Sequence, residues 1–302
     1  MLAGLSAAAA AHAAVVLQPP HVGVALAAPA APAVGGSAPT SVAYSWRRCN
    51  RYTSLVKVDG ATHFWQLGGD AGTSAPDFMG TAPGVYSRTG HASVSDGALD
   101  GETDPAATFD GTSDAISIAG AAAGAATAPY TIEAWVRPRL VDATPRYVFA
   151  RESSTGTRQG TGLWLSTTGL TFERWTNGVK TAVTVGAGLP LHAWSLVTAT
   201  YDGTTMRLFI DGKQLASRAT AVAVPAVAAP TEIGSAGGGT SGFFAGDLDE
   251  VALYPLALAR AHVAAHYAAG TTAPCVTIAG ATSSSYTPVA ADLGYEISAT
   301  VT

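Results

Sequence analysis

Charge is scarce in this chain. Only 12% of its 302 residues are Asp, Glu, Lys or Arg, and 16 basic against 21 acidic residues leave a formal net charge of −5. A phosphate-binding surface needs clustered Lys and Arg. The one basic cluster, Arg47, Arg48 and Arg51, is too small to make one, so nucleic acid is excluded as an expected partner. Membrane-length apolar runs are lacking too. Residues 1–17, MLAGLSAAAAAHAAVVL, are too short and too rich in Ala for a membrane span, and no later stretch qualifies, so no membrane insertion of the folded domain is expected. That segment has an apolar centre and a small-x-small cleavage candidate at Ala11, His12 and Ala13, but it lacks the Lys or Arg that precedes a secretory core; either the true start lies upstream or it is an Ala-rich leader. Cysteine is reduced to two residues, Cys49 and Cys275. A pair in a β-rich chain points to an oxidising compartment.

Helical patterning is absent until near the end. In its place stand short β-branched or aromatic runs bounded by Gly, Asp, Asn or Pro, the pattern of strands and turns: TIEAWVRP (131–138), RYVFARE (146–152), GLWLS (162–166), LTFERW (170–175), HAWSLVTATYDG (192–203), TMRLFIDGKQLAS (205–217) and FFAGDLDEVALYPLALA (243–259). The helix LALARAHVAAHYAAG (256–270) follows, with Gly270 as its expected cap. Hydrophobic content of 48% is enough for a core, although much of it is Ala. The expected inward-facing residues are Ile132, Ala134, Val136, Leu163, Leu165, Leu196, Leu208, Ile210 and Val251. Residues 18–43, rich in Ala, Pro, Gly and Ser, read as linker, so that residues 1–41 form leader and linker and order begins at VAYSWRRC (42–49).

The ordered set EAWV, WSLVTATYDG, LFIDG and GDLDEVALY, ahead of a short terminal helix, resembles the laminin-G-like, concanavalin-A-like jelly-roll family of bacterial surface and secreted proteins. The resemblance implies an all-β, two-sheet antiparallel jelly-roll sandwich over residues 57–270 whose usual task is binding. ATHFWQLGGDAGTSAPDFMG resembles the family's first strand and loop. PAATFDGTSDAISIAG (105–120) resembles its F-D-G hairpin, with Asp110 and Gly111 as the turn. The last segment, CVTIAGATSSSYTPVAADLGYEISATVT (275–302), is similar instead to the second half of an immunoglobulin-like repeat of actinobacterial surface proteins. The matching first-half strand is Tyr44, Ser45, Trp46, Arg47, Arg48 and Cys49. Together they imply one immunoglobulin-like module, residues 42–56 and 271–302, split by an inserted jelly roll. The same resemblance implies a Cys49–Cys275 disulfide at the neck of the insert; two unrelated buried cysteines are the other reading.

Residues with chemical potential are few. Glycoside hydrolysis needs facing carboxylates, which on this fold come at period-two spacing along one strand. In Asp247, Leu248, Asp249, Glu250 the leading Glu is missing and alternation turns Glu250 away, so no enzyme is expected. There is no G-x-S-x-G, and neither cysteine lies near a His in sequence. His262 and His266 share a helix face but lack the Glu of H-E-x-x-H, and read as solvated. Residues 234–242, GSAGGGTSG, lack a phosphate loop's Lys and read as a flexible loop. The acidic residues between 96 and 114 read mostly as a solvated loop. On family resemblance a calcium ion would be held by Asp77 and Asp249; the alternatives are a turn former at Asp77 and a loop hydrogen bond at Asp249. Trp65, Trp135 and Trp194 read as structural, and Trp46 as packing near the cysteines. Trp164 and Trp175 are less committed. In LTFERW, Leu170 and Phe172 share one face while Thr171, Glu173 and Trp175 share the other, and an indole beside charged groups is how a sugar platform is built. The expected protein is a non-catalytic adhesion or carbohydrate-binding module, secreted or at the cell surface, within a larger multidomain protein. Its partner would be a polysaccharide or a glycoprotein glycan. A structural spacer in an immunoglobulin-like stalk with no small ligand is the alternative, and a glycoside hydrolase is a distant third.

Overall fold

Period-two alternation of large apolar side chains with small or polar ones gives each strand one face to bury, and two sheets that bury such faces against each other form a sandwich. In the computed structural model of the chain the described residues are 13–14, 22–28, 30, 42–49, 51–68, 72–80, 82–87, 96–100, 104–120, 127–153, 156–186, 188–272, 275–292 and 295–301. They fall into two compact units, residues 56–271 and the pair of segments 1–55 and 272–302.

The larger unit is a jelly-roll sandwich. Its strands are β1 (His63–Trp65), β2 (Ser74–Ala75), β3 (Gly84–Tyr86), β4 (Ala107–Asp110), β5 (Ile116–Ile118), β6 (Tyr130–Pro138), β7 (Arg146–Glu152), β8 (Gly160–Ser166), β9 (Gly169–Thr176), β10 (Val179–Val185), β11 (Ser195–Tyr201), β12 (Thr205–Ile210), β13 (Lys213–Ala219), β14 (Thr231–Ile233) and β15 (Ala245–Tyr254). One sheet runs β10-β9-β8-β7-β14-β5-β3-β2. The other runs β13-β12-β11-β6-β15-β1, with β4 also on β15. Between them lies one core that includes Phe149, Leu163, Leu165, Leu170 and Phe172 from the first sheet and Ile132, Ala134, Val136, Leu208 and Val251 from the second. Each of the Val, Leu, Ile and Phe side chains contributes about 1.5–3 kcal/mol on full burial, and Ile210 packs at the margin.

Three local expectations are corrected. Leu196 is buried but faces away from the core. It pairs with Trp135, while its neighbour Val197 joins the core, because a strand sends successive side chains to opposite faces. The segment 105–120 is not a hairpin, since β4 pairs with β15 and β5 with β14 and β3. Its turn carries the chain from one sheet to the other. The Asp110 carboxylate holds this corner, accepting from the backbone N–H groups of Thr112, Ser113 and Asp114 at 2.8, 2.8 and 3.0 Å. Gly111 adopts φ 83° there, and a β-carbon on it would lie 2.7 Å from that of Ala245. Finally, Gly270 does not cap the helix. After the short helix α1 (Tyr52–Val58), helix α2 spans Arg260–Thr272, and Gly270 is buried within it where a β-carbon would come 2.3 Å from Trp135 Cζ2.

In the smaller unit, strand Tyr44–Cys49 pairs with both Cys275–Thr277 and Glu296–Val301, so segments more than two hundred residues apart in sequence share one sheet. Cys49 and Cys275 are direct cross-strand partners and form a disulfide. Trp46 packs with Ile278, Ile297 and Ala299, and its indole N–H donates to Ser283 O at 2.9 Å. Within the stretch read as leader and linker, Ala13–Ala14 pair with Thr300 and Val301, and Leu26–Ala27 with Ser285 and Tyr286. Leu26 also packs on the small core. No helix among the described residues is long and apolar enough to cross a membrane.

Candidate functional site

The outer face of the β7–β10 half of the eight-stranded sheet carries an unusual density of aromatic and ionisable groups. The register aligns them: Tyr147 pairs with Trp164, Trp164 with Thr171, Gly162 with Glu173, and Gly160 with both Glu152 and Trp175. Trp175 pairs in turn with Lys180. Trp175 therefore shares one face with Glu173, as the alternation in LTFERW predicts, and strand pairing brings Trp164 to the same face. Two glycines of β8 leave room for large neighbours to lie flat; a β-carbon on Gly162 would sit 2.8 Å from Tyr147 Cε1 and 2.9 Å from Glu152 Oε1.

Arg158, from the β7–β8 connection, ties the face together. Its Nε and Nη2 donate to Glu152 Oε2 at 2.9 and 2.6 Å, and Nη2 also donates to Glu173 Oε1 at 2.9 Å and to the Tyr147 hydroxyl at 2.6 Å. The Tyr147 hydroxyl donates to Glu173 Oε1 at 2.9 Å. The guanidinium covers one face of Trp175, 4.2 Å from the ring centroid, while Trp164 is 8% exposed and packs beside Tyr147 and Ala236. Lys180 Nζ lies 5.9 and 5.8 Å from the two indole centroids and 4.0 Å from Glu173 Oε2. Burial pushes the Glu152 carboxyl up to about 7, against the opposing charge of Arg158 and with the help of Glu173. Burial likewise raises the Tyr147 phenol, which faces both carboxylates.

Beside this network opens a cavity of about 340 Å³, lined among others by Tyr147, Glu152, Ser153, Arg158, Ser241 and Gly242. Its far wall is the Gly-rich segment 234–242. Read from sequence as a flexible loop, it is folded back on itself through a bridge between Ala236 and Ser241. Left-handed φ angles at Gly234, Gly237, Gly238, Gly239 and Gly242 make that shape accessible, since glycine alone adopts them freely. Glu232 of β14 accepts from the backbone of Gly238 and Gly239 and anchors the loop. Tyr147, Glu152, Arg158 and Glu232 were not singled out in the sequence, because nothing local marks residues whose grouping depends on strand order.

Asp77 and Asp249 occupy different settings. The Asp77 carboxylate is filled by donors: N–H groups of Phe64, Met79 and Ala82 at 2.9, 2.9 and 3.0 Å and the His63 ring at 2.9 Å. Burial opposes its ionisation, but these bonds outweigh it and hold the carboxyl below its usual range. Asp249 accepts from Ala98 N at 2.8 Å and groups with Asp104 and Glu250, one carboxylate oxygen of each lying within 4.8 Å of the others. Alternation turned Glu250 away from Asp249. Instead, a bulge between Asp249 and Ala252 and φ 51° at Glu250 bring the two carboxylates to the same side, as a bulge re-aims side chains. Three carboxylate oxygens at that spacing are hard donors of the kind a calcium ion takes.

His266 is likewise not solvated. It is fully buried on the inner face of α2, with Nδ1 2.7 Å from Glu133 Oε1 and Nε2 3.0 Å from Asp59 Oδ2. His262 reaches the same Asp59 oxygen at 2.7 Å and remains half exposed. Burial disfavours the His266 cation, but Glu133 and Asp59 outweigh it and raise its pKa. Trp135 stacks on Tyr267 of α2 with centroids 6.0 Å apart, and Arg137 lies 4.7 Å over Trp194.

Comparison with known proteins follows the fold. The family described as the concanavalin A-like lectin/glucanases superfamily matches residues 110–264. No curated protein matches the chain. Among solved structures it is similar to the binding domain of Paraclostridial Mosquitocidal Protein 1, at 15% identity and TM-score 0.53, covering 70% of this chain and 52% of that one. It is also similar to domain 4 of AbnA, a GH43 extracellular arabinanase from Geobacillus stearothermophilus solved with arabinotriose, at 16% identity and TM-score 0.53, covering 69% and 98%. The botulinum neurotoxin serotype D binding domain matches at 13% identity and TM-score 0.53, covering 71% and 52%. The chain thus spans about half the length of the toxin domains and nearly all of domain 4. At these identities the likeness is one of fold.

Proposed function

The chain belongs to the concanavalin A-like lectin/glucanases superfamily, and from that premise we propose that it is a non-catalytic binding module whose ligand is a glycan held on the outer β7–β10 face. One observation carries this reading. Among the described residues, the buried polar atoms of that face without a hydrogen-bond partner include three beside Arg158: Trp164 Nε1, Trp175 Nε1 and Glu152 Oε1. Two are donors and one is an acceptor. A buried polar group without a partner is destabilising by about 1–3 kcal/mol, and vicinal hydroxyls, which donate and accept at once, are suited to satisfy all three. The arabinotriose complex of the similar domain 4 supports the same class of ligand. The paired carboxylates Glu152 and Glu173 do not make a hydrolase site in this reading, because Arg158 Nη2 bonds to both and fills the space a scissile bond would need. The disulfide fits a secreted or cell-surface setting. The smaller unit is read as the immunoglobulin-like host of the sandwich, its two segments joined through Tyr44–Cys49. Calcium, in this reading, is held by Asp249 with Asp104 and Glu250, while Asp77 serves its loop.

A glycan array with and without calcium tests the module. Retention of a defined polysaccharide that falls at least about tenfold in Trp175→Ala supports it, the loss expected when a stacking ring is removed. Clean failure across plant, microbial and host glycans leaves the structural spacer. For the ion, a chelator lowers the melting temperature of the wild type and not of Asp249→Asn, since a ligand bound only to the native state stabilises it by mass action; no shift in either protein removes calcium from the reading.

A further inference from the structure

The charges on the binding face are unequal in a way the hydrogen-bond network does not resolve. Three buried carboxylates belong to it, Glu152, Glu173 and Glu232. The bases there are two, Arg158 and Lys180, both within 4.0 Å of Glu173. Glu173 is therefore served on both oxygens: Arg158 and the Tyr147 hydroxyl meet Oε1, and Lys180 faces Oε2. Glu152 is served on one. Oε2 takes two bonds from Arg158, while Oε1 is buried without a partner among the described residues although the side chain is only 4% exposed and lines the cavity. Glu232 repeats the pattern one strand away, opposite Ala150 of β7, with Oε2 likewise unpartnered. Both carboxyls are raised by burial, as expected where a negative charge has too little compensation.

Resting on the glycan reading, we propose that the cavity between β7, β8 and the 234–242 loop takes a protonated amine, so that the ligand is an amino sugar with a free amino group, its ammonium donating to Glu152 Oε1. A hydroxyl satisfies the same oxygen as a donor but leaves the buried excess of negative charge in place. An ammonium supplies both the hydrogen bond and the missing charge, and charge-assisted pairs are about twice as strong as neutral ones. The surroundings suit a sugar body: Thr144, Ser153 and Ser241 line the wall, and Arg158, which also lines it, covers Trp175. N-acetylation of the amine removes the charge and adds bulk where Gly237 and Gly242 close the cavity, so an acetylated sugar is rejected on two grounds.

Titration calorimetry on the full chain with three oligosaccharides of equal length tests the proposal: glucosamine, N-acetylglucosamine and glucose oligomers. A lysine oligomer of matching charge controls for general attraction to a chain of net charge −5. The expected result is at least about tenfold tighter binding of the glucosamine oligomer than of the other two sugars, with the lysine oligomer weaker than it. In Glu152→Gln, an isosteric change, that preference collapses, and Glu232→Gln reduces it by less; near-ultraviolet circular dichroism verifies that each variant is folded. Equal or tighter binding of the acetylated or neutral oligomer overturns the amine assignment and leaves the glycan reading intact. Equal binding of the lysine oligomer overturns it in favour of general electrostatics. Failure of every sugar to bind overturns the amine assignment and leaves the glycan reading to the array.

Discussion

Glu152 shows how one side chain on this face is held in tension. Its Oε2 is bound twice by Arg158 while its Oε1 lies buried above Gly162, and burial lifts the carboxyl from 4.5 to about 7. A carboxyl raised on folding prefers the protonated native state. Its contribution to stability is fully present below about pH 4.5 and is lost as pH rises through about 7. The difference in melting temperature between wild type and Glu152→Gln, followed from pH 4.5 to 8, should therefore shift steadily against the wild type across that window. A difference that stays constant with pH would show that Glu152 does not titrate there. Gly162 is the complementary residue, since any side chain on it meets Tyr147 and Glu152 at under 3 Å. Gly162→Val should abolish ligand retention on the array while leaving a folded sandwich.

At the scale of elements, helix α2 depends on two features of its buried face. Gly270 lets the helix approach Trp135, and His266 joins Glu133 of β6 to Asp59. Gly270→Ala should destabilise the sandwich by about 1–3 kcal/mol, the usual range for overpacking, seen as a lower denaturant midpoint with an unchanged slope. The helix propensity of Ala works in the opposite sense by up to about 1 kcal/mol, so a stabilised variant would mean that α2 shifts outward at little cost. For His266 the raised pKa means that stabilisation is complete below the ordinary value of 6.5 and fades as pH rises through the folded-state value. His266→Gln should thus be most destabilising below about pH 6.5, with the gap to wild type narrowing in alkaline buffer. A gap independent of pH would assign the histidine a packing role alone.

At the scale of the whole molecule, one disulfide closes a separation of 226 residues. The chain-entropy relation gives about 5 kcal/mol for so long a loop, but that figure supposes an unfolded loop, and here the loop is itself a folded unit of residues 56–271. Reduction, or Cys49→Ser with Cys275→Ser, should therefore leave the main sandwich transition in place and lower a separate transition of the smaller unit, whose own core is only a few side chains. Scanning calorimetry resolves the two. A single transition that shifts as one upon reduction would show that the units unfold cooperatively.

The strands, the jelly-roll class and the core were legible in the sequence, because alternation along a strand and turn residues at its ends are local properties of the chain. That is why LTFERW correctly divides Leu170 and Phe172 from Glu173 and Trp175 without knowledge of any partner strand. The failures share a different cause. The β4–β5 corner reads as a hairpin because a turn motif does not state which sheet each strand joins. Leu196 reads as core because both faces of its strand are buried, one by the opposing sheet and the other beside Trp135. Glu250 reads as facing away because a bulge interrupts the period of two. His266 reads as solvated because Asp59 and Glu133 stand more than 130 residues from it. The cavity is the extreme case: Glu152, Arg158, Glu173 and the 234–242 loop meet only because β7, β8, β9 and β14 are neighbours. Sequence determined which residues form strands and which way most of them face, since those depend on neighbours in the chain. Tertiary structure alone decided which charges meet and which polar atoms are left without partners, since those depend on strand order and on what lies across the sheet.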